Sequence, residues 1–299
     1  MKISGFTIIR NALKYDFPVL EAISSLLPVC DEFVVAVGKS EDDTLSLIKS
    51  INSPKIKIIE TVWDEELRKD GKVMAVETNK ALAACTGDWC HYIQADEVLH
   101  EKDLPKIKKT LERCQDNKNI EGIEYNWIHF YGSYETFQDN RREWYAHEIR
   151  IIRRRPDIFS FGDAMGFRKK DEKGEWHKLK TANCGASIYH YGWVKPPKTM
   201  KVKKIETDKL YLPDEIIKKE EEDINEGNIY LDTFDLALFR GTHPKVMEER
   251  IKRAGWKFDL SKLSRTPRWL RAIRVFFHPL LKRLAKLVGM KEKQRRFYR

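Results

Sequence analysis

The feature that most constrains the fold is an alternation through the first 115 residues. "KISGFTIIR" (2–10) reads as a strand. "YDFPVLEAISSLL" (15–27) then repeats its apolar residues at helical spacing, with Pro18 tolerated in the first turn. "EFVVAVG" (32–38) has the pattern of a buried strand, and the helical "SEDDTLSLIKSI" (40–51) follows, with Ser40 as the expected N-cap. Strand 55–60, helix 71–85, strand 89–94 and helix 104–114 continue the series. Such a rhythm predicts an α/β fold, a mostly parallel sheet flanked by helices. After residue 120 it changes: 122–132, 147–154 and 185–194 read as strands without regular crossover helices. Helical patterns return around 212–224 and 243–256.

Apolar residues make up 41% of the 299, enough for an ordinary core without disulfide staples. Five Cys in no framework pattern suit a reducing compartment. Cys85, Cys90 and His91 lack the second Cys/His pair of a zinc site, so ordinary buried thiols are expected. The apolar run at the N-terminus is short and broken by Arg10 and Asn11, unlike a signal peptide. No run of eighteen apolar residues occurs. The charge is uneven. Residues 262–299 carry 13 Lys and Arg against one acid, a net of +12. The other 43 Lys and Arg and 45 Asp and Glu leave the body at −2.

The fourth strand raises a question, because "WCHYIQADEVL" runs from aromatic and apolar residues into two adjacent carboxylates, Asp96 and Glu97. Acids are poor strand residues and are seldom buried alone. In an open parallel sheet, however, ligands bind at the carboxyl ends of the strands. There, oxygen ligands could hold a divalent cation that bridges phosphates. Capping of the next helix is the alternative reading of the same acids. Phosphate-loop, dinucleotide-fingerprint, zinc-protease and serine-elbow patterns are all missing; Phe33, for instance, stands where a phosphate loop ending in "GKS" would need its first glycine.

The order of these segments resembles the first half of a family 2 glycosyltransferase with the GT-A fold. The resemblance is carried by the strand ending in Arg10–Asn11, then "VVAVGKSEDDT" (34–44), "ETNKAL" (77–82) and "TGDWCHYIQADEVL" (86–99). From 120 to 200, "EIRIIRR", "FGDAMGF" and "YHYGW" resemble a bacterial branch that builds surface polysaccharides and lipopolysaccharide core. The resemblance implies a nucleotide-sugar donor whose site includes Arg10, Asn11, Ser40, Asp42, Asn79, Gln94, Asp96 and His190. It implies Mg²⁺ or Mn²⁺ held by Asp96, the last Asp of the family's Asp-x-Asp motif, with Glu97 and His190 as further candidate ligands. Gln94 replaces the first Asp of that motif, an amide where a carboxylate would bind a hard cation better, and Thr78 replaces an Arg on the helix before it. The acid that usually contacts the nucleobase is replaced by Val37 and Gly38.

Transfer of a sugar needs two kinds of help. Charge builds on the leaving diphosphate, and the acceptor hydroxyl must lose a proton. The resemblance implies an inverting reaction with one carboxylate as base. Asp163, in a Gly-flanked apolar loop, is the preferred candidate, with Glu148 and Asp139 as alternatives. Trp144, Tyr145 and Trp193 fit either sugar stacking or the core. The tail threads Trp269, Ile273, Phe276, Phe277, Leu280, Leu284 and Leu287 through its basic residues. That pattern suits docking on an anionic membrane through residues 262–299, beside a glycan or lipid-linked acceptor. A tail helix packed on the body is the alternative. The division expected is a catalytic domain over 1–245, with a nucleotide-sugar half at 1–115 and an acceptor half at 116–200, followed by a basic helical region at 246–299. The expected place is the cytoplasm, at the inner face of the membrane. Competing readings are an inactive nucleotide-sugar-binding protein, motivated by Gln94, and a nucleic-acid binder motivated by charge alone; no nucleic-acid module accompanies that charge.

Overall fold

The computed structural model describes residues 1–139, 144–222, 229–230 and 236–260. The basic tail at 262–299 lies outside the described residues.

The alternation read from the sequence forms. Strands β1 (Ile3–Ile9), β2 (Glu32–Gly38), β3 (Ile56–Thr61) and β4 (Trp89–Tyr92) are parallel, in the order β3-β2-β1-β4. Helices α1 (Val19–Leu26), α2 (Thr44–Lys49), α3 (Lys72–Ala83) and α4 (Leu104–Cys114) follow or link them. Side chains alternate across the strands because the pleat has a period of two. Phe33, Val35 and Val37 of β2 therefore join a core with Ile23 and Leu26 of α1, Ile48 of α2, and Ile107 and Leu111 of α4. Val34 and Ala36 face the other way, with Ala81 of α3. Both faces of the sheet are thus covered, as a run of buried parallel strands requires.

The second half extends the sheet with mixed pairing. β8 (His147–Arg153) lies antiparallel between β4 and β6 (Gly122–Tyr131). β12 (Thr181–Trp193) runs parallel to β6 and also pairs antiparallel with β5 (Glu97–Leu99). β7 (Thr136–Gln138) and β13 (Leu236–Leu238) complete ten strands among the described residues. A separate sheet holds β9 (Ile158–Phe161), β10 (Gly166–Lys170) and β11 (Trp176–Lys178). These short strands escaped the sequence reading because each is only three to five residues long. So did α5 (Pro197–Asp208), whose charged sequence gives little amphipathic signal. α6 (Asp214–Glu222) falls where helix was expected, and α7 (Glu248–Lys252) is much shorter than the expected 243–256.

Ser40 does not cap α2, which starts at Thr44. The carboxylate of Asp42 accepts from the Thr44 N–H at 3.1 Å, and Ser40 is drawn into the neighbouring loop. All five cysteines are free and buried.

Candidate active site

β1 lies between β2 and β4; the chain runs from β1 towards β2 and from β4 towards the other side of the sheet, and the carboxyl ends of strands at such a reversal are where ligands bind in open α/β sheets. Arg10 and Asn11 end β1 there, and Asp96 follows β4. The loops after β1 and β2 are stitched together. The Asn11 N–H donates to Ser40 Oγ at 3.0 Å, and the Glu41 N–H donates to Asn11 Oδ1 at 2.8 Å. The Lys14 N–H donates to Asp42 Oδ2 at 2.7 Å. Burial opposes the charge of Asp42, but the hydrogen bonds from Thr44 and from the Lys14 N–H hold its pKa below the usual value. Arg10 lies over Trp63 and donates to Glu65 at 2.7 Å. The four residues expected at the donor site on this side are therefore neighbours, and much of their bonding capacity holds the two loops.

The two acids after β4 have separate fates. Glu97 is completely buried and meets Arg150 of β8 in a two-pronged pair, with Nε to Oε2 at 2.9 Å and Nη2 to Oε1 at 2.7 Å. The Gln94 N–H also donates to Oε2 at 3.0 Å. Glu97 was a candidate metal ligand; instead both its oxygens serve a buried ion pair that fixes the strand end. Burial opposes the charge of Arg150, and Glu97 more than offsets this, raising its pKa above the ordinary value. The same guanidinium donates to the Met165 carbonyl at 2.5 Å and packs over Trp127 at 4.6 Å.

Asp96 faces a different group. Lys203 of α5 donates to Asp96 Oδ2 at 3.0 Å, and His190 Nε2 lies 3.8 Å from the same oxygen. The β5–β12 pairing sets His190 beside Glu97, and the Tyr191 N–H donates to the Asp96 carbonyl at 2.8 Å. Burial alone would raise the Asp96 pKa, but the Lys203 ammonium beside it holds it well below the usual carboxylate range.

A second histidine orients the first. His129 of β6 has Nε2 at 2.9 Å from the Tyr145 carbonyl, which only accepts, so Nε2 carries the hydrogen. Burial holds the His129 pKa down to about 3, so its Nδ1 is an acceptor. His190 Nδ1, at 3.1 Å, must then donate to it. Burial also lowers the pKa of His190, whose Nε2 is left with its lone pair towards Asp96. Gly192 matters here. A Cβ at that position would lie 2.6 Å from His190 Nε2 and 2.7 Å from Asp96 Oδ2. Glycine leaves open the space between a carboxylate oxygen and an imidazole lone pair.

Asp96 Oδ2 and His190 Nε2 are the groups at this point that could hold one hard divalent cation. The described residues offer no third carboxylate or imidazole at this point. Their only group of three candidate ligands is the exposed set Asp171 and Glu175, on the turn between β10 and β11, and His177 of β11.

Asn79 is a correction to the donor set. Its amide donates to the Ser160 carbonyl and accepts from the Ser160 N–H, both at 2.9 Å, which ties α3 to β9. The Gln94 amide donates to the Ala164 carbonyl at 3.3 Å. That contact ties the loop of Asp163 to the end of β4. Asp163 is half-buried and accepts from the Tyr211 hydroxyl at 3.0 Å. Glu148 shares a face of β8 with Arg150, two residues on, and burial raises its pKa. Asp139 follows β7. Trp144 and Trp193 are buried in an aromatic cluster with Tyr131, which is core rather than an open stacking face.

Sequence reasoning missed Lys203, Lys195, His129 and Arg150. Lys195 is fully buried, donates to the Asp16 carbonyl at 2.5 Å and lies over Phe17. Burial lowers its pKa to about 7. A buried Lys has no local signal; a strand Arg within an apolar run, such as Arg150, is the one that could have been flagged.

The architecture is an α/β sheet with a carboxylate at its switch point. No family model and no curated protein matches the chain. Among solved structures it is similar to S. aureus TarS 1-349 in complex with UDP, at 14% identity over 75% of this chain and 71% of that one, with a TM-score of 0.41. It spans 43% of the longer TarS chain. It is also similar to glucosyl-3-phosphoglycerate synthase from Mycobacterium tuberculosis in complex with Mn²⁺, UDP-glucose and phosphoglyceric acid. That likeness is 19% identity over 42% of this chain and 44% of that one, with a TM-score of 0.31.

Proposed function

We propose that this chain is a glycosyltransferase that moves a sugar from a nucleotide-sugar to an acceptor hydroxyl. The observation that carries the reading is the Asp96–His190–Gly192 arrangement at the sheet's switch point. Asp96 and His190 would hold Mg²⁺ or Mn²⁺, which would neutralise charge developing on the leaving diphosphate. His129 keeps the lone pair of His190 on the correct nitrogen. Arg150 and Glu97 fix the backbone that presents Asp96.

The reaction is an inverting single displacement. The acceptor oxygen bonds to the anomeric carbon as the bond to the diphosphate oxygen breaks, and a carboxylate takes the hydroxyl proton. Asp163 is the base in this reading, because Tyr211 orients it and Gln94 ties its loop to the strand end that carries Asp96. Glu148 is the second candidate, supported by its raised pKa. The acceptor is a glycan or lipid-linked sugar in cell-surface polysaccharide synthesis. Residues 262–299, net +12, would bring the enzyme to the anionic inner face of the membrane.

Purified protein should turn over a nucleotide-sugar from a panel supplied with Mn²⁺ or Mg²⁺. Asp96→Asn should lower turnover about a hundredfold or more, the scale of losing a main stabiliser of the leaving charge. Retention of more than roughly a tenth of the rate, with an unchanged circular dichroism spectrum, refutes the assignment.

A further inference from the structure

We propose that Lys203 is a donor-binding residue: its ammonium holds Asp96 in the empty enzyme and passes to the departing phosphate of the diphosphate when the donor and its cation enter. The proposal rests on the donor site assigned above.

Lys203 Nζ is largely buried and has two polar contacts, Asp96 Oδ2 at 3.0 Å and the Gly192 carbonyl at 2.9 Å. Among the described residues, no second carboxylate pairs with it. The neighbouring acids have cations of their own. Glu97 has Arg150, and Asp16 has Arg250, whose Nη1 donates to it at 2.6 Å. Lys195 adds another amine to the same space, and the Phe17 ring lies 4.9 Å from Lys195 Nζ and 5.0 Å from Lys203 Nζ. Asp96 is the carboxylate that pairs with Lys203.

A divalent cation that took the Asp96 oxygen would leave Lys203 with one carbonyl and an aromatic face. A largely buried ammonium without a counter-charge is costly. The pocket would then hold excess positive charge and lack an anion. The donor's diphosphate is an anion, and it gains further charge as the sugar leaves, so a positive group held there favours the transition state over the ground state. Lys203 sits on α5, whose connection to β12 is the segment Val194–Pro196, so the residue is delivered from outside the sheet. Its long, flexible stem allows Nζ to change partner without movement of the helix.

The test is calorimetric titration of wild type, Lys203→Met and Lys203→Arg. Each is titrated with Mn²⁺ alone. At saturating Mn²⁺, each is then titrated with UDP, GDP, ADP and CDP, and with the monophosphate of whichever binds tightest. The Met variant should bind Mn²⁺ at least as well as wild type, because a competing charge beside Asp96 has gone. It should bind the diphosphate roughly 10- to 100-fold more weakly, the scale of one charged hydrogen bond, and the monophosphate unchanged. Arg should restore most of the diphosphate affinity. Unchanged diphosphate affinity in the Met variant, or equal weakening of diphosphate and monophosphate, overturns the proposal. If the Met variant does not fold, Lys203→Gln takes its place; failure of both to fold makes Lys203 a structural residue and also overturns it. Wild-type protein that binds none of the diphosphates overturns the donor-site reading itself, an outcome distinct from wild-type binding with an indifferent Met variant.

Discussion

Replacing Arg150 by Met should destabilise the protein far more than loss of a surface charge would. The side chains of Arg150 and Glu97 are 1% and 0% exposed, and both carboxylate oxygens receive hydrogen bonds from the guanidinium. Met fills a similar volume beside Trp127 and Tyr92, so the main loss is the counter-charge of Glu97 rather than packing. Removing one partner of a buried pair costs about 3–5 kcal/mol. For a body of this size each kcal/mol moves the melting temperature by about 2–4 °C, so a fall of roughly 6–20 °C is expected. The Met165 carbonyl also loses a donor, which would add about 1–3 kcal/mol if water did not replace it. The double variant Glu97→Leu/Arg150→Met separates the two sources, since it removes the stranded carboxylate and leaves the carbonyl unpaired. Urea unfolding of wild type, Arg150→Met and the double variant measures all three. The double variant should recover at least half of the loss. Equal destabilisation of the single and double variants would show that the carboxylate was not the cause, and a single-variant cost below about 1 kcal/mol would show that the pair is solvent-screened.

Asp163→Asn should lower turnover about 10²- to 10⁴-fold while calorimetric affinity for the donor holds; normal turnover by Asp163→Asn with a dead Glu148→Gln would move the base to Glu148. Lys195 has a folded pKa near 7, below its ordinary 10.5, so between those values the unfolded chain binds more protons. Stability should therefore rise with pH by about 1.4 kcal/mol per unit across that window and be lost as pH falls towards 7. Lys195→Met should flatten that slope in urea unfolding followed from pH 6.5 to pH 9.5, and an unchanged slope would show that the lysine is solvated. Full-length protein should co-sediment with anionic but not neutral vesicles, less so at high salt, and truncation after Asp259 should abolish this. Equal sedimentation of the two proteins would refute the membrane role of the tail.

The sequence by itself determined the parallel half of the fold. Local information suffices there: β1, β2 and β4 are largely apolar runs, β3 keeps its isoleucines in a short run, and the helices between them carry their own spacing. It also placed Asp96 at a strand's carboxyl end, because position after a strand is a local property. It could not tell Asp96 from Glu97. Asp96 lies in the turn before β5 and Glu97 is the first residue of that strand, and one acid met Arg150 from 53 residues away while the other met Lys203 from 107 residues away. Asn79 looked equivalent to the site residues until Ser160, 81 positions on, took both ends of its amide. The tautomer of His190 depends on His129, brought alongside by the parallel pairing of β6 with β12. Which carboxylate stays open and which imidazole nitrogen keeps its lone pair are set by partners distant in the chain. Only the tertiary structure decides those, because hydrogen bonds and burial depend on distance in space, which periodicity along the chain does not record.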